Sequence, residues 1–310
     1  MTLRIGLVGA VWSTEVALRA LAEAGHPPAV LITLPMEKSG RHSDFVDLGP
    51  LAQDLSVPLA RAEDVNDPAL LERLAALELD LLMVIGWSRM CGPEFRRLPR
   101  VGALGYHPTL LPKMRGRAAL AWTIILGCGE SGGTLFWLDE GVDSGDIAAQ
   151  QAFPVPSGVT LPALIELQKE ALAAMLPPLA AALAGGEIPA RPQDHDAATY
   201  LAVRRPAHGE IDWGAGADEI ERLVRATSRP YPGAYTRNAG RKLLIWSARV
   251  VRYPQWHAQT GQVFTFEDGV PIVRCGGGTD LALTDYEIVT EEGEAPPKPL
   301  SGQPLLGRST

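Results

Sequence analysis

Short apolar runs separated by helical stretches recur from Leu3 to Leu138, and this alternation restricts the chain more than any other feature. Leu3–Val8, Val30–Leu34, Leu81–Ile85, Val101–Tyr106 and Gly133–Leu138 read as buried strands. Helices are expected after the first strand, where Val16, Leu18 and Leu21 share one side, near Leu48–Leu55, over Pro68–Leu77 and near Ala118–Leu126. A strand apolar at every position needs cover on both faces, and helical crossovers supply it. The expectation is an α/β fold with a Rossmann-like parallel sheet, whose ligands bind beyond the carboxyl ends of the strands. Thr160 can cap a further helix, Leu161 to Leu176, which Pro177 and Pro178 should end.

From Arg204 the pattern changes. One helix, Asp218–Ala226, precedes strand-like runs at Ala234–Thr236, Lys242–Trp246, Ala248–Val251, Gln262–Phe266, Val270–Cys275 and Leu281–Tyr286. Glycine-bearing turns between several of them suggest a small OB-like β-barrel. The organisation read from these shifts is an α/β domain over 1–186, a linker rich in Pro, Asp and Ala over 187–203, a barrel over 204–290 and a flexible tail over 291–310.

Of the 310 residues, 46% are hydrophobic and 21% charged, an ordinary balance for a globular protein. No apolar run reaches the roughly 18 residues that span a bilayer, and the N-terminal residues lack the layout of a signal peptide. Three widely spaced cysteines, Cys91, Cys128 and Cys275, argue for a reducing, cytoplasmic setting without a cysteine zinc site. The net charge of -8 disfavours general nucleic-acid affinity. Yet no acidic residue occurs between Arg222 and Phe266, a span holding eight arginines and lysines. It reads either as a solvated face balanced elsewhere or as a patch for an anionic partner.

Chemistry concentrates in two segments. Leu104-Gly105-Tyr106-His107-Pro108 places a histidine at the end of an apolar strand, before a proline-bounded loop with Lys113, Arg115 and Arg117. Asp139-Glu140-Gly141-Val142-Asp143-Ser144-Gly145-Asp146 presents carboxylates on a glycine-bearing turn after another strand. An imidazole beside a carboxylate can polarise a carbonyl and move a proton. The acidic turn does not match a calcium loop, and Asp194-His195-Asp196 is a weak metal candidate, so no metal is expected. Gly6 and Gly9 lack the third glycine of a dinucleotide fingerprint.

With these residues in view, the chain resembles the enzymes that use 10-formyltetrahydrofolate as formyl donor. Tyr106-His107-Pro108-Thr109-Leu110-Leu111-Pro112 with Arg115-Gly116 is similar to their first signature, and Gly141-Val142-Asp143-Ser144-Gly145-Asp146 to their second. Ile211-Asp212-Trp213 and Pro232-Gly233-Ala234-Tyr235 resemble motifs of their C-terminal barrel. The resemblance implies His107 and Asp143 as catalytic residues. It implies a pterin pocket at Trp87, Ser88 and Met90 with the backbone around Asp139 and Gly141. Where the transferases carry an asparagine two residues before the histidine, this chain has Gly105; the hydrolase domain of 10-formyltetrahydrofolate dehydrogenase also lacks that asparagine. The expected acceptor is a small amine-bearing molecule, with Lys113, Arg115 and Arg117 facing an anionic group on it. Methionyl-tRNA is less favoured, because the Pro35–Asp47 loop mixes Lys38, Arg41 and His42 with Glu37, Asp44 and Asp47.

Overall fold

The computed structural model describes residues 3–41, 43–238, 240–290, 300, 302 and 304–307. His42 and, within the stretch read as a flexible tail, residues 291–299, 301, 303 and 308–310 lie outside the described residues. The chain divides into two compact units. The first takes in Met1–Ala119, Glu130–Pro154 and Ile165–Ala202; the second takes in Leu120–Gly129, Val155–Leu164 and Val203–Thr310.

The first unit is built on β1 (Ile5–Val8), β2 (Val30–Thr33), β3 (Leu59–Arg61), β4 (Leu81–Val84) and β5 (Gly102–His107). These strands run parallel in the order β3-β2-β1-β4-β5. Helices α1 (Trp12–Glu23), α2 (Gly49–Asp54), α3 (Pro68–Ala75) and α4 (Pro93–Arg97) connect them. β1, β2 and β4 are buried at every position, as strands covered on both faces must be. β3 and α4 carry too few apolar residues to stand out in the sequence.

The sheet continues differently. β7 (Glu130–Trp137) pairs antiparallel with β5, and β8 (Ile147–Pro154) antiparallel with β7, so the strand expected at Gly133–Leu138 runs against the parallel set. A short parallel pair, β6 (Arg115–Gly116) with β9 (Tyr200–Leu201), lies apart from the main sheet, and α5 (Ala119–Ile125) precedes β7.

Helix α6 spans Leu161–Ala184 and passes straight through Pro177 and Pro178, where the sequence predicts its end. Its buried side, Leu172, Met175, Leu176, Leu179, Ala180 and Leu183, packs with Leu7, Met83 and Leu104 of the sheet. Each such leucine contributes ~1.5–3 kcal/mol on burial, and together they outweigh a cost of about 3 kcal/mol per proline. Both prolines lie on the outer side of the helix, as do Ala173 and Ala174, whose carbonyls lose their partners there. Water can pair those carbonyls.

The second unit holds α7 (Ala217–Thr227) and five strands, β10 (Ala234–Asn238), β11 (Arg241–Val251), β12 (Val263–Glu267), β13 (Val270–Arg274) and β14 (Asp280–Ile288). They form one antiparallel sheet in the order β10-β11-β14-β13-β12, consistent with a partly open, OB-like barrel. The two strands expected around Trp246 are one strand with an irregularity at Ser247. The expected flexible tail needs correction at its far end. Leu300 and Leu306 are buried in this unit's core, and the Leu306 N–H donates to Gly261 O at 2.9 Å. Apolar side chains with a strand edge to bond have reason to pack.

Candidate active site

β5 alternates between two faces. Leu104 and Tyr106 point toward α6, where the Tyr106 hydroxyl donates to Gln168 Oε1 at 2.6 Å. Gln168, fully buried, donates in turn to Pro108 O (3.0 Å) and Gly132 O (2.9 Å), so one amide ties the end of β5 to β7. Burial pushes the Tyr106 phenol above its ordinary range, and it stays a donor. Gly105 and His107 share the opposite face.

His107 is buried at the last position of β5. Its Nε2 lies 2.7 Å from the carbonyl of Met114. A carbonyl only accepts, so Nε2 carries the proton and donates. That leaves Nδ1 toward Asp143, whose Oδ2 is 3.5 Å away. The same Oδ2 accepts the Gly116 N–H at 2.8 Å. The segment Met114–Gly116 therefore grips both side chains, the histidine by a carbonyl and the aspartate by an amide.

The antiparallel direction of β7 would carry the aspartate away from the histidine, because Trp137 lies opposite Leu104 whereas His107 lies opposite Thr134. The turn after β7 doubles back over the Gly105 face and closes that gap. Gly105 leaves room for the side chains that cover this face. A Cβ there would meet Leu138 Cδ2 at 2.8 Å and Phe136 Cζ at 2.9 Å. The space that a side chain at residue 105 would enter is filled by apolar groups.

Polar bonds shape the turn. Asp139 accepts from the Gly141 N–H (3.0 Å) and the Ser144 hydroxyl (2.8 Å), which commits its carboxylate to the turn itself. At Gly145 a Cβ would stand 1.8 Å from Trp137 O, so only glycine permits the return into β8. Asp143 adopts a left-handed backbone, φ 51°, which an aspartate tolerates better than most residues.

The residues read as a linker are part of the site. Trp137 Nε1 donates to Pro189 O at 2.8 Å, and Arg191 pairs with Ile147. Gln193, buried, donates from Nε2 to Asp143 O (2.9 Å) and Gly145 O (2.6 Å). Thr199 accepts the Met114 N–H on its hydroxyl at 2.8 Å, and its carbonyl accepts the Arg115 N–H at 2.8 Å. The segment is a strap. Its Pro, Asp and Ala content hides this, because the bonds fall on scattered polar side chains and on backbone.

Arg115, expected to face an acceptor, is 2% exposed and bonded instead to Gln193 Oε1, the Tyr200 hydroxyl and His195 Nδ1. Its place in the loop after His107, beside Lys113 and Arg117, is what made it look free. Lys113 and Arg117 are exposed, and an Arg117 N–H donates to Ser88 O. Ser88 and Met90 are exposed on the loop after β4, while Trp87 is half-buried against the neighbouring core. The Trp87 indole N–H is buried and has no acceptor among the described residues. No group of three or more His, Cys, Asp or Glu side chains able to hold a metal ion occurs among the described residues. Burial pushes the Cys91 and Cys275 thiols up to about 12, which removes both as nucleophiles near neutral pH.

The formyl transferase family model matches residues 13–177, and that for the formyl transferase C-terminal domain matches residues 204–295. The chain belongs to the formyl transferase family. Among solved structures, HypX from Aquifex aeolicus in complex with tetrahydrofolic acid is 18% identical, with a TM-score of 0.66 over 94% of this chain. This chain spans 45% of the HypX chain. The N-formyltransferase from Helicobacter canadensis, in complex with folinic acid and dTDP-3-aminofucose, is 15% identical with a TM-score of 0.66, covering 91% of this chain and 99% of its own. Glycinamide ribonucleotide transformylase 1 from Symbiobacterium toebii is 24% identical with a TM-score of 0.52, over 62% of this chain and 95% of its own. These likenesses establish the fold.

The basic span of the second unit is largely engaged. Arg229 stacks over Trp246 and faces Glu287 at 3.6 Å; Arg249 faces Glu267 at 3.4 Å; Lys242 lies over the Tyr235 ring. Arg222 donates to Ile125 O at 3.1 Å. Acids distant in sequence face two of these residues, Arg229 and Arg249.

Proposed function

We propose that this formyl transferase moves the formyl group of 10-formyltetrahydrofolate to the amine of a small acceptor, with His107 and Asp143 as its catalytic pair. The observation that carries the reading is the pairing of His107 Nδ1 with Asp143 Oδ2 beside the Gly116 amide. A folate donor is supported by the tetrahydrofolic acid and folinic acid bound in the two structures named above. The aminosugar nucleotide in one of them supports a small acceptor.

In this mechanism the acceptor nitrogen attacks the formyl carbon, and charge builds on the formyl oxygen. His107 Nε2 is committed to Met114, so Nδ1, when protonated, is the donor that meets this oxygen. One such donor is worth roughly 3 kcal/mol in the transition state. Asp143 takes the proton shed by the attacking amine and delivers it to the folate nitrogen as the carbon–nitrogen bond breaks. The products are the N-formyl acceptor and tetrahydrofolate. The half-buried Trp87 and the exposed Met90, both on the loop after β4, are the side chains this reading assigns to the fused pterin ring.

One observation favours a second reading. Phe136 and Leu138 fill the space at Gly105 where transferases place a carboxamide, so water could replace the amine and the reaction would be hydrolysis to formate. Following tetrahydrofolate release from 10-formyltetrahydrofolate with and without a panel of amines separates the readings. Release that depends on an amine supports transfer; equal release without one supports hydrolysis.

A further inference from the structure

We propose that Gln193 is a positioning residue that holds the Asp143 carboxylate in its working place, with Arg115 as the group that orients it; the proposal rests on the formyl-transfer reading above. The left-handed backbone of Asp143 is uphill for any residue with a Cβ and persists where its surroundings fix it. The Gln193 amide contributes two of the bonds that do so here. The two N–H bonds of Gln193 Nε2 go to the carbonyls of Asp143 and Gly145, on either side of Ser144. The turn is thus pinned by Gln193 as well as by the Asp139 carboxylate.

The amide has only one orientation. Arg115 Nη2 and Nε, at 2.7 and 3.3 Å, are donors and require the oxygen of Gln193 on their side. The guanidinium is fixed in turn by neutral acceptors, the Tyr200 hydroxyl at 3.2 Å and His195 Nδ1 at 3.1 Å. Meanwhile the next residue, Gly116, supplies the amide that the Asp143 carboxylate accepts. Arg115 and Gln193 together therefore set the aspartate's carboxylate and carbonyl in one frame.

The decisive variant is Gln193→Glu, which keeps the length and the acceptors for Arg115 but replaces the donor with an oxygen facing two carbonyls. It should lower kcat by about tenfold to a hundredfold, as a misplaced catalytic group does. The KM for the amine and the affinity for 5-formyltetrahydrofolate should stay near wild type, because the interaction lost acts in the transition state. Hydrogen exchange should speed up at the Asp143–Gly145 amides. Tyr200→Phe, which only loosens Arg115, should move kcat the same way by a smaller factor. If the Glu variant fails to fold, Gln193→Met makes the same test without an added charge. Wild-type kcat in a folded Gln193 variant, or a KM that rises while kcat holds, would overturn the proposal. Should the wild-type protein turn over no amine at all, the formyl-transfer reading fails; exchange alone then decides whether Gln193 pins the turn, unchanged exchange rejecting it.

Discussion

The two halves of the first unit's sheet are held by different forces. In the parallel half, β1, β2 and β4 are buried at every position, and their order follows from packing against helices on both faces. In the antiparallel half, β7 and β8 leave much of β8 open, and the turn between them is set by individual polar bonds from Asp139, Gly116 and Gln193. His107 lies on the seam, at the end of β5, the last parallel strand. The difference teaches that one half supplies a rigid floor and the other places charge. Damage to the first should appear as lost stability, and damage to the second as lost turnover.

The strongest way to break this division is His107→Ala, which should cut turnover by about a hundredfold or more, the range for losing one donor to the developing oxyanion. Thermal unfolding should move little; a large fall in Tm with turnover kept per folded molecule would put His107 on the packing side. Leu82→Ala tests the opposite half. Leu82 is fully buried, so the variant should lose ~2–5 kcal/mol by denaturant unfolding while the folded fraction keeps its kcat. Gly105→Ala sharpens the boundary, since the added methyl meets Phe136 and Leu138 and should cost ~1–3 kcal/mol through overpacking. Unchanged stability in that variant would mean that the ends of Phe136 and Leu138 move aside for the methyl. The smallest effect concerns the second unit. With its basic run engaged by Glu287, Glu267 and ring faces, the apparent affinity for a small acceptor should change only weakly between low and moderate salt. A thousandfold loss, the order expected for several phosphate contacts, would restore an RNA acceptor to the account.

Strands β1, β2 and β4 of the parallel half were legible because each is an unbroken apolar run, and burial on two faces demands that pattern; β3 is too short to show it. His107 and Asp143 were legible for another reason, as parts of two contiguous signatures. What the sequence hid was direction and reach. A strand such as Gly133–Leu138 looks the same whether it runs with or against its neighbours. Pro177 and Pro178 promised a helix end that the packing of Leu176, Leu179 and Leu183 overrides. Gln193 gave no signal at all, since a lone amide in a Pro- and Asp-rich stretch has no period to reveal its partners. Arg115 misled by the same logic, because its burial depends on Tyr200 and His195, some eighty residues away.

The most direct measurement is the single-turnover rate of Asp143→Asn with 10-formyltetrahydrofolate and a productive amine, taken beside folate binding and Tm. The substitution keeps the side chain's shape and an oxygen for the Gly116 amide but removes the proton acceptor. Turnover should fall by about a hundredfold or more with binding and Tm held. A near-normal rate of tetrahydrofolate release in this variant would contradict the account, and would move the proton transfer away from the turn that β7, β8 and Gln193 hold in place.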